Sequence, residues 1–221
     1  LWENIPKNFD IKRLVLTAPI DTYKGYRKWL VDICGDLLVN EIALVDEPTA
    51  AGIGVNVFFL NRPEVTEWIA VEPDDKLTPE CRSMLEVMGD RAKVFEGYLH
   101  DLNEKPNSFD CVILTTLLCS VPDPTEIVRD AHKMLKKGGK LYIIEHMGDS
   151  LGLRAAFQVT AKLPWKWTTG CNCRNNPIPA LSQPGLWAEE VKLENAPLRL
   201  KKFSLMVELL KPFGMATLTK V

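Results

Sequence analysis

Apolar positions Tyr26, Leu30, Ile33 and Leu37 recur at helical spacing, which predicts an amphipathic helix from Tyr23 to about residues 39–40. Short apolar runs follow, each read as a buried strand: residues 42–45, 68–71, 93–97, 111–116 and 140–145. Helical patterns fall between them at residues 79–88 and 125–135. The second is opened by Pro122-Asp123-Pro124 and stopped by Gly138-Gly139. Strands alternating with helices predict an α/β domain with right-handed crossovers and a doubly wound sheet. Residues 1–20 carry little periodicity and are read as an irregular lead-in. Residues 148–187 break the rhythm with Pro164, Pro177, Pro179 and Pro184 and three tryptophans, and are read as a cap over the carboxyl edge of the sheet. Residues 191–199 and 215–221 predict two closing strands, the last antiparallel.

Composition leaves this picture as one domain over residues 1–221, with a lead-in and helix at 1–40 and a cap insertion at 148–190. The chain has 221 residues, 46% of them hydrophobic, and carries a net charge of −2. That balance gives no electrostatic footprint for nucleic acid, and no nucleic-acid partner is expected. The lysines from Lys133 to Lys140 and the pair Lys201-Lys202 are read as solvated helix ends. The six cysteines sit in a chain large enough to build its own core, so reduced thiols are expected. Cys171-x-Cys173 lacks the spacing of common zinc motifs and no linear His/Cys pattern completes a tetrahedral set, so no metal is expected. No segment approaches the length of an apolar membrane span. The chain begins at Leu1 rather than Met, and membrane association is expected only through sequence preceding it.

The chemistry-bearing pattern begins at Ala50-Ala51-Gly52-Ile53-Gly54, a small-residue turn that follows the first predicted strand. Such a turn lets a backbone approach a nucleotide-like cofactor closely. Glu72 ends the second predicted strand, where a carboxylate can accept hydrogen bonds from both ribose hydroxyls. Gly52, Gly54 and Glu72 are therefore candidate ligands of an adenosyl cofactor, although Gly-x-Gly alone also suits a plain strand-to-helix turn. A dinucleotide fold would write Gly-x-Gly-x-x-Gly, which Gly52-Ile53-Gly54-Val55-Asn56-Val57 does not complete.

Further along stand Gly97-Tyr98-Leu99-His100-Asp101-Leu102, Ser108-Phe109-Asp110, Leu135-Lys136-Lys137-Gly138-Gly139 and Leu141-Tyr142-Ile143-Ile144-Glu145-His146. In order and spacing these resemble the class I S-adenosylmethionine-dependent methyltransferases of the small-molecule type 11 group. The resemblance implies a Rossmann-like, mostly parallel seven-stranded sheet with helices on both faces, and S-adenosylmethionine as cofactor. It implies that Leu99 and His100 meet the adenine edge and Thr115 the methionine part of the cofactor. Two departures stand out: Ala50 replaces the first glycine of the family's loop, and Pro48 replaces its acid. Leu117-Leu118-Cys119-Ser120-Val121, Ile144-Glu145-His146 and Trp167-Thr168-Thr169-Gly170-Cys171-Asn172 resemble a narrower group, the alkyl-thiol S-methyltransferases. That narrower resemblance implies a small apolar acceptor, a thiol; its members carry an N-terminal hydrophobic anchor to endoplasmic reticulum or lipid droplets, which residues 1–221 do not show, so a location in the cytoplasm or at the periphery of those membranes is expected.

Methyl transfer from a sulfonium needs mainly alignment. Where proton acceptance is required, His146 is the candidate catalytic residue, while Cys119 and Cys171 read either as nucleophiles or redox groups or, as is usual for unpaired cysteines, as small apolar residues. Phe157, Trp165, Trp167 and Trp187 either line an acceptor pocket or form a small core of the cap. The competing reading is a methyltransferase-like scaffold or binding module whose altered glycine loop has lost the cofactor. Another keeps the enzyme and changes the acceptor to a hydroxyl, amine or carbon.

Overall fold

The computed structural model describes residues 10–11, 13–16, 38–39, 43–45, 66–72, 85–169, 171–195 and 213–221. Ten strands lie in these residues: β1 Asp10–Ile11, β2 Arg13–Leu16, β3 Leu38–Val39, β4 Ala43–Val45, β5 Glu67–Glu72, β6 Ala92–Glu96, β7 Phe109–Thr115, β8 Leu135–His146, β9 Glu194–Asn195 and β10 Phe213–Thr219. The main sheet has the order β6-β5-β2-β4-β7-β8-β10-β9, and β1 pairs with β3 in a small second sheet. From β6 to β8 every pairing is parallel, whereas β10 runs antiparallel to β8 and to β9.

Composition explains which strands are central. Within β7, Phe109, Cys111, Val112, Ile113 and Leu114 are all fully buried, as expected of a parallel strand covered on both faces. Residues Leu141 to Ile143 of β8 are equally buried, and Leu218 of β10 closes the core beside them. Helix α1, Pro124–Met134, turns Ile127, Val128, Ala131 and Met134 inward at helical spacing. Asp123 caps it, its Oδ1 accepting from the N–H groups of Thr125 at 2.8 Å and Glu126 at 3.4 Å. Asp123→Ala should lower unfolding stability by about 1 kcal/mol in denaturant titration.

Several expectations are corrected. The lead-in carries strands: Leu14-Val15-Leu16 is too short to show a period, yet β2 enters the middle of the sheet, pairing with β4, β5 and β7. Leu38 and Val39, expected to end a helix, are strand residues that pair with Asp10 and Ile11; residues 23–37 lie outside the described residues. The main sheet has eight strands among the described residues, one more than expected, because β2 and β4 share its centre. Gly138-Gly139 does not stop α1, which already ends where Leu135 becomes extended (φ −64, ψ 139). The pair instead bends β8: Gly138 adopts φ +76, and a Cβ on Gly139 would lie 2.8 Å from the Lys136 carbonyl oxygen. Lys140 is no solvated helix end but a buried strand residue, and burial lowers its pKa.

The region read as a cap contains an 18-residue helix, α2, Gly152–Thr169, and a short one, α3, Ile178–Leu181. Among the described residues no helix is long and apolar enough to cross a membrane.

Where the chain from α3 returns to the sheet, His132 of α1 lies edge-on to Trp187 with ring centroids 5.2 Å apart, and its Nε2–H donates to the Leu186 carbonyl at 3.1 Å. Burial, then the nearby Lys220 ammonium, lowers the His132 pKa below the ordinary 6.5. The unfolded chain therefore binds more protons just below that value. Stability contributed by neutral His132 is complete above the ordinary value and is lost as pH falls through it toward the lower folded value. His132→Gln should flatten the decline in melting temperature on that acid side, as read by calorimetry across a pH series.

Candidate functional site

The strand order creates a switch point. The chain leaves β4 toward β5 and β6 on one side, then builds β7 and β8 on the other. In open α/β sheets ligands bind outside the carboxyl ends of the strands at such a point. Glu72 closes β5 and registers with Glu96 of β6, Thr115 closes β7 opposite Ile144, and His146 closes β8, so all three stand on this edge. Leu99 and His100 belong to the 3-10 turn Leu99–Asp101 that follows β6 on the same edge. Gly52 and Gly54 lie outside the described residues.

That turn separates its two candidates. Leu99 is 1% exposed and anchors the turn to the core. The His100 side chain is exposed, stacks on the Tyr98 ring at 5.5 Å and lies 3.5 Å from the Asp101 carboxylate. Asp101 in turn accepts from the Tyr98 N–H at 3.2 Å, which fixes the turn at its start.

Beyond Thr115 the backbone does something unusual for a β-branched residue. Thr116 is buried with φ +49, a left-handed conformation whose cost is about 1–3 kcal/mol. Its N–H donates to the Ile144 carbonyl at 2.7 Å. Two residues on, the Leu118 N–H donates at 2.7 Å to Oε1 of Glu145, a carboxylate with no exposed surface. These bonds clamp the turn after β7 onto the end of β8. Glu145→Ala leaves the buried Leu118 N–H without its acceptor, so stability should drop by about 1–3 kcal/mol in denaturant titration.

The clamped turn delivers Cys119 to His146. Cys119 Sγ lies 3.6 Å from His146 Nδ1 and donates to the Thr116 carbonyl at 3.0 Å. Cys171, which follows α2, completes the group: its Sγ lies 3.1 Å from His146 Nδ1 and 3.1 Å from Cys119 Sγ. All three side chains are buried. Backbone bonds hold the Cys171 segment in place, from Asn172 N–H to the Cys119 carbonyl at 2.9 Å and from Gly148 N–H to the Asn175 carbonyl at 2.8 Å. On the far side the Phe213 ring packs against the His146 imidazole, with centroids 4.2 Å apart. Cys173 is a different case. It is fully buried with Sγ 3.8 Å from the Gln158 carbonyl, and burial followed by its neighbour Cys171 raises its pKa, so it stays a thiol.

Sequence reasoning named His146 but did not join Cys119 and Cys171 to it. They are 52 residues apart, and no linear spacing rule connects them. A signal was nevertheless present: each of the three residues lies in one of the segments that carry the narrower resemblance.

Residues 49–143 match the family model of a methyltransferase domain. The thiol S-methyltransferase TMT1B of Rattus norvegicus is 34% identical over 177 residues, covering 75% of this chain and 69% of the rat protein. The chain belongs to the class I, type 11 S-adenosylmethionine-dependent methyltransferases. Solved structures agree on the fold. Geranyl diphosphate C-methyltransferase from Streptomyces coelicolor superposes with a TM-score of 0.58 at 11% identity, covering 80% of this chain and 70% of that one. The N-methyltransferase NodS from Bradyrhizobium japonicum gives 0.52 at 14% identity, with coverage of 80% and 84%.

In this methyltransferase the cap's aromatics divide. Trp187 belongs to the wall of the main core, donating from Nε1 to the Leu181 carbonyl at 2.8 Å and meeting His132 edge-on. Phe157 is half-buried on α2, and Trp165 and Trp167 stand in the backbone of the same helix.

Proposed function

We propose that this methyltransferase moves the methyl group of S-adenosylmethionine to the sulfur of a small apolar thiol. The observation that carries the reading is convergence. The three segments resembling alkyl-thiol S-methyltransferases are remote in sequence, and Cys119, His146 and Cys171 meet from them within hydrogen-bond reach at the carboxyl ends of β7 and β8. The identity to the rat thiol S-methyltransferase supports the same acceptor class.

The donor is held by Gly52, Gly54, Glu72, Leu99, His100 and Thr115, of which the last four follow or end β5, β6 and β7 across the switch point. The residues described fit such a group: an acid, a core-anchored turn and a hydroxyl residue stand in a row along one edge. When bound, the donor supplies a methyl already activated on a sulfonium sulfur. The protein's task is therefore to place the acceptor in line with it, and alignment of this kind is worth as much as about 7–11 kcal/mol. His146 serves the acceptor through Nδ1, the ring nitrogen that faces both cysteine sulfurs. The buried surroundings favour an apolar thiol over one carrying charge. No nucleic-acid partner enters this scheme.

A panel of alkyl thiols, phenols and amines incubated with methyl-labelled donor tests the assignment. Label is expected in thioethers. Label confined to phenols or amines overturns the thiol reading while leaving the enzyme intact.

A further inference from the structure

Cys119, Cys171 and His146 have the chemistry of a metal site with one position open. Their three ligand atoms lie within 4.8 Å of one another, at the end of the sheet where the acceptor is proposed to bind. Two soft sulfurs and one imidazole nitrogen are the donors of a tetrahedral zinc site, and catalytic zinc keeps three protein ligands with a fourth place for water or substrate. Zinc–sulfur bonds of about 2.3 Å and zinc–nitrogen bonds of about 2.0 Å require ligand atoms roughly 3.8 Å (sulfur to sulfur) and 3.6 Å (sulfur to nitrogen) apart. The observed separations are 3.1 Å between the sulfurs and 3.1 and 3.6 Å from sulfur to nitrogen. The Cys119–His146 separation already fits, and widening the Cys119–Cys171 gap by about 0.7 Å and the Cys171–His146 gap by about 0.5 Å admits the ion.

We infer that Cys119, Cys171 and His146 bind Zn²⁺ and that its fourth position takes the acceptor thiol. The inference rests on the thiol reading above, and it departs from the metal-free expectation drawn from linear spacing. Its electrostatics suit a buried place. Zn²⁺ with two thiolates and a neutral imidazole has zero net charge, so the protein buries no unbalanced ion. Loading releases the two cysteine protons and costs Cys119 its hydrogen bond to the Thr116 carbonyl.

The reaction then balances. An incoming thiol loses its proton to solvent on binding, because coordination deprotonates it outright, and leaves a complex of net charge −1. The sulfur lone pair forms the new carbon–sulfur bond while the donor's methyl–sulfur bond breaks, its electron pair staying on the donor sulfur. The product is a neutral thioether, a weaker ligand than a thiolate, and it departs. His146 acts in this scheme as a ligand through Nδ1, with the cation replacing direct proton acceptance.

The test is metal content. The full chain, expressed with zinc and purified under reducing conditions without a metal-binding tag, should hold about one zinc per chain by mass spectrometry. Cys119→Ala and Cys171→Ala should each lower that at least tenfold, while Cys173→Ala keeps it. Replacement by Co²⁺ should give a thiolate-to-cobalt absorption band that strengthens when ethanethiol is added, reporting the open position. Bound zinc should also protect Cys119 and Cys171 of the wild-type chain from iodoacetamide, a readout that needs no variant. A folded, donor-binding protein that stays metal-free after zinc is supplied overturns the inference, as does zinc unaffected by both substitutions, copper in its place, or a Cys119–Cys171 disulfide under reducing conditions. Donor titration of the same samples separates the outcomes. Metal-free protein that still methylates thiols removes the zinc alone, and zinc-loaded protein inert toward thiols removes the acceptor assignment alone.

Discussion

His146→Gln should lower kcat for an alkyl thiol about 10²-fold or more while the Kd for S-adenosylhomocysteine stays within about twofold. The split follows from position. His146 closes β8 and meets Cys119 and Cys171, whereas Glu72, Leu99, His100 and Thr115, proposed to hold the donor, lie along the ends of β5, β6 and β7. Glutamine retains a polar group but cannot take a proton near neutral pH, nor match imidazole as a zinc ligand. It also gives up the packing of the ring against Phe213, at 4.2 Å, so some thermal destabilisation should accompany the kinetic loss. Intact donor binding shows that the sheet edge survives. A variant with kcat near that of the wild type would make His146 a packed edge residue and nothing more.

The second large effect belongs to Glu72. Glu72→Ala should weaken binding of S-adenosylmethionine and S-adenosylhomocysteine alike by about 100-fold, with unchanged melting temperature. The size comes from two charge-assisted hydrogen bonds to ribose hydroxyls, each worth about 1.5–3 kcal/mol, partly offset by water. Glu72→Gln keeps the acceptor oxygen without the charge and should fall between. Equal affinities in all three proteins would take Glu72 out of the donor site.

The alternation of apolar runs and amphipathic helices made the sheet legible because buried parallel strands are written as continuous apolar runs. β5, β6, β7 and β10 all lie within a few residues of their expected places. The failures have local causes. Leu14-Val15-Leu16 gains its place in the sheet from neighbours far along the chain, which no window around it contains. Gly138-Gly139 reads as a helix stop because glycine marks any positive φ, and here that φ serves a bend within a strand. At the site, residues at strand ends were readable because the fold fixes where strands end. The Cys119–Cys171 contact was not, since it depends on the strained Thr116 turn and on the segment after α2 bringing Cys171 to the end of β8.

The account stands on a working adenosyl site at this carboxyl edge, in a chain whose loop carries Ala50 where its family places glycine. Calorimetric titration of the wild-type chain with S-adenosylmethionine and S-adenosylhomocysteine tests that directly. Micromolar, one-to-one binding of both is the predicted result. A demonstrably folded protein that binds neither would contradict it and leave a methyltransferase fold serving as a scaffold.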